Sequence, residues 1–343
     1  MIRASFAIPG ELASLTGGYG YARRVLREAP SIGLELEHIA LPGGFPSPSA
    51  TDLGRTEEVL ALLPPDRPVL FDGLAYGALP ANLLGRIPGP VVALCHHPLA
   101  METGIEPPVA AHLMRCERRA LAHAAQVVTT SHATASILIR DYGVPGEKLT
   151  VAPPGTDPAP RAPAREGPCR LLSVGSITPR KGHIRLIAAL AEMPLMDWSL
   201  RIAGPVPDRD ERAALAAAIA EAGFEDRVRV DGPLGLPALT AAYQAADLFV
   251  LASEYEGFGM AFVEAMSHGL PTVGLVCPAV EEATGGAACL VGPEDLGATL
   301  RLLITDKATR QALSDKCWTA AQTFMRWPQT TRIIADVIGR AGA

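Results

Sequence analysis

The chain has 343 residues, with 36 acidic and 30 basic side chains for a formal net charge of −6, and 48% of it is apolar. That balance excludes the basic face expected of a nucleic-acid-binding protein, and no apolar run approaches the roughly 18 residues of a membrane span. The length exceeds one ordinary core, so two domains of about 150 residues are expected, with small molecules or weakly charged polymers as partners.

At the N-terminus, MIRASFAIPGEL turns polar after one short strand, so no secretion signal is read and the cytoplasm is the expected location. Apolar runs of strand length then alternate with helical patterns, which predicts βα units feeding parallel sheets. Strands are predicted over Ile2–Ile8, Leu34–Leu41, Val69–Leu74, Val91–Leu94, Gln126–Thr130 and Leu149–Ala152. Gly17 and Gly18 make a turn before a helix expected from about Tyr19. With Glu35 and Glu37 inside the second strand and no acid at its tip, a nicotinamide fingerprint is not met. The strand VVALC runs out into His96, His97 and Pro98, where open α/β sheets place ligands, and His96 is taken as a site residue with His97 as the alternative. Arg23, Arg24 and Arg27, and Arg115, Arg118 and Arg119, are read as solvated helix faces, although such clusters also suit phospholipid or a phosphorylated acceptor.

Six prolines between Pro153 and Pro168 predict a stiff interdomain linker. Strands resume at Leu171–Val174, Leu200–Ala203, Val228–Val230, Asp247–Ala252, Thr272–Val276 and Cys289–Val291, and from Glu294 onward only helices follow, the last opened by Pro328. The six cysteines show neither a C-x-x-C pair nor metal-ligand spacing, so neither disulfides nor a metal site is expected.

Two stretches of the second half carry chemistry. In SVGSITPRKGH a strand enters a glycine turn and then meets Arg180 and Lys181 at the expected start of a helix. Cations are disfavoured there unless an anion compensates, which makes a diphosphate the natural guest, while the plainer reading is a solvated basic pair. In SEYEGFGMAFVEAMSHGLP a strand, a loop and a helix follow one another, with glycines on both sides of Phe258 so that amides point at an anion. Glu256 and Glu264 bracket the same place and call for hydroxyls. A phosphate joined to sugars satisfies both demands.

The stretch EGFGMAFVE, with Glu256 and Glu264 in an E-x7-E frame, resembles the signature of the retaining glycosyltransferases of family 4. VGSITPRKG, SHATASILIRDYGVPGEKLTVAPPGTD, AADLFVLASEYEGFG and EAMSHGLPTVG are similar to further segments of that family, and Gly17, Gly18 and His96 to features of its first half. The resemblance implies the α/β GT-B fold: two Rossmann-like parallel-sheet domains facing across a cleft, 1–160 for the acceptor and 161–325 for the nucleotide sugar, with a terminal helix, 326–343, crossing back to the first. It implies that Lys181 stabilises the departing diphosphate, Glu264 holds the ribose, and Glu256 with the amides near Phe258 and Gly259 holds the donor sugar. His96 would face donor and acceptor. The donor-binding set is then Gly17, Gly18, Ser176, Arg180, Lys181, Glu256, Gly257, Phe258, Gly259 and Glu264, with His96, Lys181 and Glu256 catalytic, no metal and no cofactor besides the nucleoside-diphosphate sugar.

Two positions depart from the family pattern. Ser176 stands where the family has arginine, leaving Arg180 as a second cation, and LVCPAVEEATGG leaves Glu281 and Glu282 as alternatives for a later glutamate. The reading is a hexosyl transfer from a nucleoside-diphosphate sugar, UDP-linked in the first instance, to a hydroxyl acceptor. A sugar-nucleotide epimerase and a non-catalytic sugar-nucleotide-binding protein remain as alternatives, and peripheral membrane contact stays open. The acceptor loops, Pro42–Thr51 and Pro98–Pro107, carry no readable code.

Overall fold

The computed structural model describes residues 2–207 and 209–342. They divide into two compact units: one holds the chain up to Ser14, Gly18–Gly155 and the chain from Met325 onward, and the other holds Leu15–Gly17 and Thr156–Phe324.

The first unit is built on strands β1 (Ile2–Pro9), β2 (Leu34–Leu41), β3 (Val69–Asp72), β4 (Val91–Cys95), β5 (Gln126–Thr129) and β6 (Leu149–Val151), in the spatial order β2-β1-β3-β4-β5-β6. The second is built on β7 (Cys169–Val174), β8 (Trp198–Ala203), β9 (Val228–Val230), β10 (Leu248–Leu251), β11 (Thr272–Leu275) and β12 (Cys289–Val291), in the order β12-β11-β10-β7-β8-β9. Among the described residues every strand pair is parallel. Central strands such as β3, β4 and β10 are buried at each position, which is why they read as continuous apolar runs rather than alternating ones.

Helices cover the sheets and complete one apolar core in each unit: Phe71, Tyr76, Leu121 and Leu138 mark the first, and Leu186, Trp198, Leu215 and Leu300 the second. The helix Trp327–Ala341 belongs to the first unit, although the whole second unit separates it from that unit in the chain. Trp327 meets Tyr21 edge to face at 5.6 Å, with the Arg24 guanidinium 5.2 Å from its ring centroid, and Thr330 Oγ1 donates to the Pro153 carbonyl at 2.7 Å. Among the described residues no helix is long and apolar enough to cross a membrane.

Both strand orders reverse once, between β1 and β3 and between β7 and β10. Loops leaving the two strands at such a point diverge to opposite sides of the sheet and open a crevice beyond the strand ends, where open α/β sheets bind their ligands. The crevices are therefore bordered by the segments after β1 and β3 in one unit, and after β7 and β10 in the other.

Candidate active site

In the second unit the two stretches singled out from the sequence are the segments after β7 and β10. The chain leaves β7 through Gly175, passes Ser176, makes a 3-10 turn at Pro179–Lys181 and enters the helix His183–Ala191. Arg180 and Lys181 thus lie in a turn ahead of the helix, which opens two residues later than the sequence predicts. Gly182 joins turn to helix in the left-handed region, φ +65°, and a Cβ there would stand 2.1 Å from the Ala252 carbonyl oxygen. Only glycine lets the turn approach the end of β10 so closely. Gly175 likewise leaves room for the Lys181 stem, whose Cδ would lie 3.2 Å from a Cβ at that position.

That approach brings Glu256 onto both cations. Lys181 Nζ lies 2.6 Å from Glu256 Oε1 and Arg180 Nη1 lies 3.6 Å from Oε2, while Arg180 also donates to the Tyr255 carbonyl at 2.8 Å. The three side chains are 14%, 13% and 8% exposed, so water screens the cluster little. Burial alone would raise the Glu256 carboxyl. The Lys181 and Arg180 charges and hydrogen bonds from Lys181 and Ser253 outweigh it and hold the group below the ordinary carboxylate range. The anion expected to compensate these cations is, in the protein itself, a carboxylate.

Gly257, Phe258 and Gly259 complete the loop, and Gly259, at φ +102°, caps the helix Met260–Ser267. In that helix the Phe262 and Val263 amides donate to the Gly259 carbonyl, and those of Met260 and Ala261 precede the first intrahelical bond. Glu264, in its second turn, accepts a 2.9 Å hydrogen bond from Tyr243 Oη. Burial pushes its carboxyl up to about 7, with the Tyr243 hydrogen bond opposing and the Asp157 charge adding. His183 is 1% exposed and lies beside Ser173, its Nδ1 3.4 Å from Oγ. Burial and the Lys181 charge lower its ring to about 4, so it stays neutral and adds no third cation to the cluster. Glu281 is exposed and Glu282 half-buried.

The first unit holds Gly18 and His96, while Gly17 falls in the second. Gly17 opens the helix Gly17–Glu28, two residues earlier than expected, and a Cβ on Gly18 would meet the His96 ring at 3.5 Å. His96 follows the last residue of β4, packs edge to face on Tyr21 at 5.2 Å and turns Nε2 toward Asp72 Oδ2 at 3.5 Å. Asp72 ends β3 and caps the short helix Gly73–Tyr76, accepting the Leu74 amide at 2.9 Å. Sequence reasoning missed Asp72. Its signal was an acid at the end of an apolar run, visible only once the parallel register sets it against Leu94, two residues before His96. His97 pairs with Glu102 at 3.5 Å.

The predicted site residues therefore form two groups. Ser176, Arg180, Lys181, Glu256–Gly259 and Glu264 gather in the second unit, and Gly18 and His96 in the first, now with Asp72. The group in the second unit offers two cations for a polyanion and two carboxyls, Glu256 buried and Glu264 half-buried, for hydroxyl groups.

A model of group 1 glycosyl transferases matches residues 159–317, and a model of glycosyltransferase family 4 matches residues 35–160. The MMP alpha-(1->4)-mannosyltransferase of Mycolicibacterium hassiacum is 29% identical over 340 residues, covering 91% of this chain and 81% of its own length. The chain is a family 4-like glycosyltransferase. This glycosyltransferase is thus an enzyme of the hexosyltransferase class. Its matches to seven further curated relatives span from 41% to 66% of those proteins' lengths.

Its fold is that of sucrose-phosphate synthase from Thermosynechococcus elongatus (TM-score 0.82, 19% identity, 99% of both chains). The Anabaena Alr3699/HepE structure, in complex with UDP and glucose, is similarly related (TM-score 0.78, 17% identity, 99% of this chain and 100% of that one). These likenesses bear out the two parallel-sheet domains of the GT-B type expected from the sequence.

Proposed function

We propose that this glycosyltransferase moves a hexose from a nucleoside-diphosphate sugar, a UDP-sugar in the first instance, to a hydroxyl acceptor with retention at the anomeric carbon. The observation that carries the reading is the Lys181–Glu256–Arg180 cluster at the strand-order reversal of the second unit. Two half-buried cations held by a single carboxylate keep surplus positive charge beside helix amides, which suits a diphosphate. Support for uridine and glucose comes from the HepE structure, which holds both.

Donor binding transfers Lys181 and Arg180 from Glu256 to the diphosphate, with Arg180 standing in for the arginine absent at Ser176. Glu256 and the amides at Phe258 and Gly259 then take the sugar hydroxyls, and Glu264 takes the ribose. In the transfer the bond from C1 to the diphosphate oxygen breaks with its electron pair leaving on the phosphate. The acceptor oxygen bonds C1 on the same face, and its proton passes to that phosphate oxygen. Preorganised cations stabilise the leaving charge where it develops, and removing one such donor costs on the order of 10² in turnover. His96 is assigned to the reacting sugar and acceptor.

Thermal unfolding with UDP, GDP, ADP and NAD tests the donor class, because a ligand bound only by the folded state raises the midpoint by mass action. The expected result is a rise with UDP that Lys181→Ala abolishes, together with roughly 10²-fold slower sugar transfer by that variant. A rise with NAD alone, or near-normal turnover in Lys181→Ala, overturns the reading.

A further inference from the structure

Behind the His96 turn lies a buried carboxyl that the proposed chemistry does not use. Glu117, on the helix Pro107–His123, is 1% exposed. Its Oε2 accepts the Leu99 amide at 2.9 Å, and Cys95 Sγ stands 3.8 Å from Oε1. Tyr142, the last residue of the helix His132–Tyr142, donates a further hydrogen bond to it. Gly77 supplies the space, since a Cβ there would lie 3.1 Å from Glu117 Cγ. One carboxyl thus holds the residue before His96 and the residue three after it.

We propose that Glu117 is a positioning residue for His96, fixing the turn from Cys95 to Leu99 and with it the place of the imidazole in sugar transfer. This rests on the role assigned to His96 above. The chemistry of the pocket favours the neutral acid. Burial pushes the Glu117 carboxyl up to about 8, against hydrogen bonds from Leu99, Cys95 and Tyr142 that favour the anion. The titratable groups facing it are the Cys95 thiol at the end of β4, itself raised well above its usual range by burial and by Glu117, and the Tyr142 phenol. Asp72, at the end of β3, adds its negative charge on the same thiol. A buried carboxyl beside such neighbours is uncharged at neutral pH and holds the turn as an uncharged acceptor; because its folded value lies above the ordinary 4.5, that hold weakens as pH rises from about 4.5 to about 8 and is level above that.

The test compares wild type with Glu117→Gln, which keeps size and an acceptor for Leu99 without ionising, and with Glu117→Ala. Transfer rates from pH 6 to 9.5 are read beside hydrogen-exchange protection of residues 96–102, corrected for intrinsic exchange, and beside the UDP thermal shift. In the wild type, kcat and protection of the turn should fall together as pH rises from 6 to about 8 and level off above it. Glu117→Gln should lack that decline in both measurements. Glu117→Ala should be on the order of 10-fold slower at pH 7 while keeping its UDP shift. A Glu117→Gln profile with the same decline intact, or wild-type protection unchanged between pH 6 and 8, overturns the proposal, and that profile decides even where Glu117→Ala does not fold. Full transfer by His96→Ala would instead remove the role of His96, leaving the exchange data to judge the hold of Glu117 on the turn.

Discussion

Glu256 and Glu264 share one loop and one short helix, and their surroundings drive them in opposite directions. Two cations hold Glu256 ionised, whereas Glu264 has only the Tyr243 hydrogen bond against its burial and is pushed up to about 7. Because the folded value of Glu264 lies above its ordinary 4.5, the folded state keeps a proton that the unfolded chain releases. Its contribution to stability therefore declines as pH rises from about 4.5 to about 7 and is level above that. Binding runs the other way if the carboxylate accepts ribose hydroxyls. UDP affinity should rise several-fold between pH 6 and 8, as the ionised fraction of a group with this pKa does. Calorimetric titration of wild type against Glu264→Gln cancels the protonation of UDP itself. A constant ratio of the two affinities across that range would remove Glu264 from the nucleotide site.

At the scale of elements, the glycines that close the site set its tolerance to change. Gly182→Ala combines a positive φ with a Cβ 2.1 Å from a backbone oxygen, whereas Gly223→Ala, at φ +67°, meets nothing within 4 Å. Denaturant unfolding should show a loss of about 1 kcal/mol for Gly223→Ala and about 2–3 kcal/mol for Gly182→Ala. Only Gly182→Ala should also lose the UDP thermal shift. Equal losses in the two variants would mean that the turn can move away from β10 without consequence.

The same scale shows what the sequence made legible. Among the described residues all twelve strands lie where their apolar runs are, and the central ones, buried on both faces, admit little else. Helix starts were less readable: a pair of glycines reads as a turn, yet Gly17 opens a helix, and Lys181 reads as helical although it lies in a 3-10 turn. Asp72 and Glu117 were invisible for another reason. Each matters through a residue more than twenty positions away, and only the pairing of β3 with β4, or the packing of a helix behind β4, brings the partners together.

For the molecule as a whole, the first unit is discontinuous. Its core is completed by Trp327, Ile334, Val337 and Ile338, all at most 4% exposed, from a helix that follows the entire second unit. Ending the chain before Trp327 strips that apolar face from the first unit and leaves Thr156–Phe324 whole. Limited proteolysis of the shortened protein should cut residues 18–155 and spare the second unit, and a protected first unit would show the helix to be dispensable. The same discontinuity inverts the order in which the protein matures. A chain leaving the ribosome generally folds domain by domain from its N-terminal side. Here every residue of the second unit is translated before the helix that completes the first. The half begun earliest must wait as an unfinished fold, a natural client for chaperones, while the second unit is already assembled.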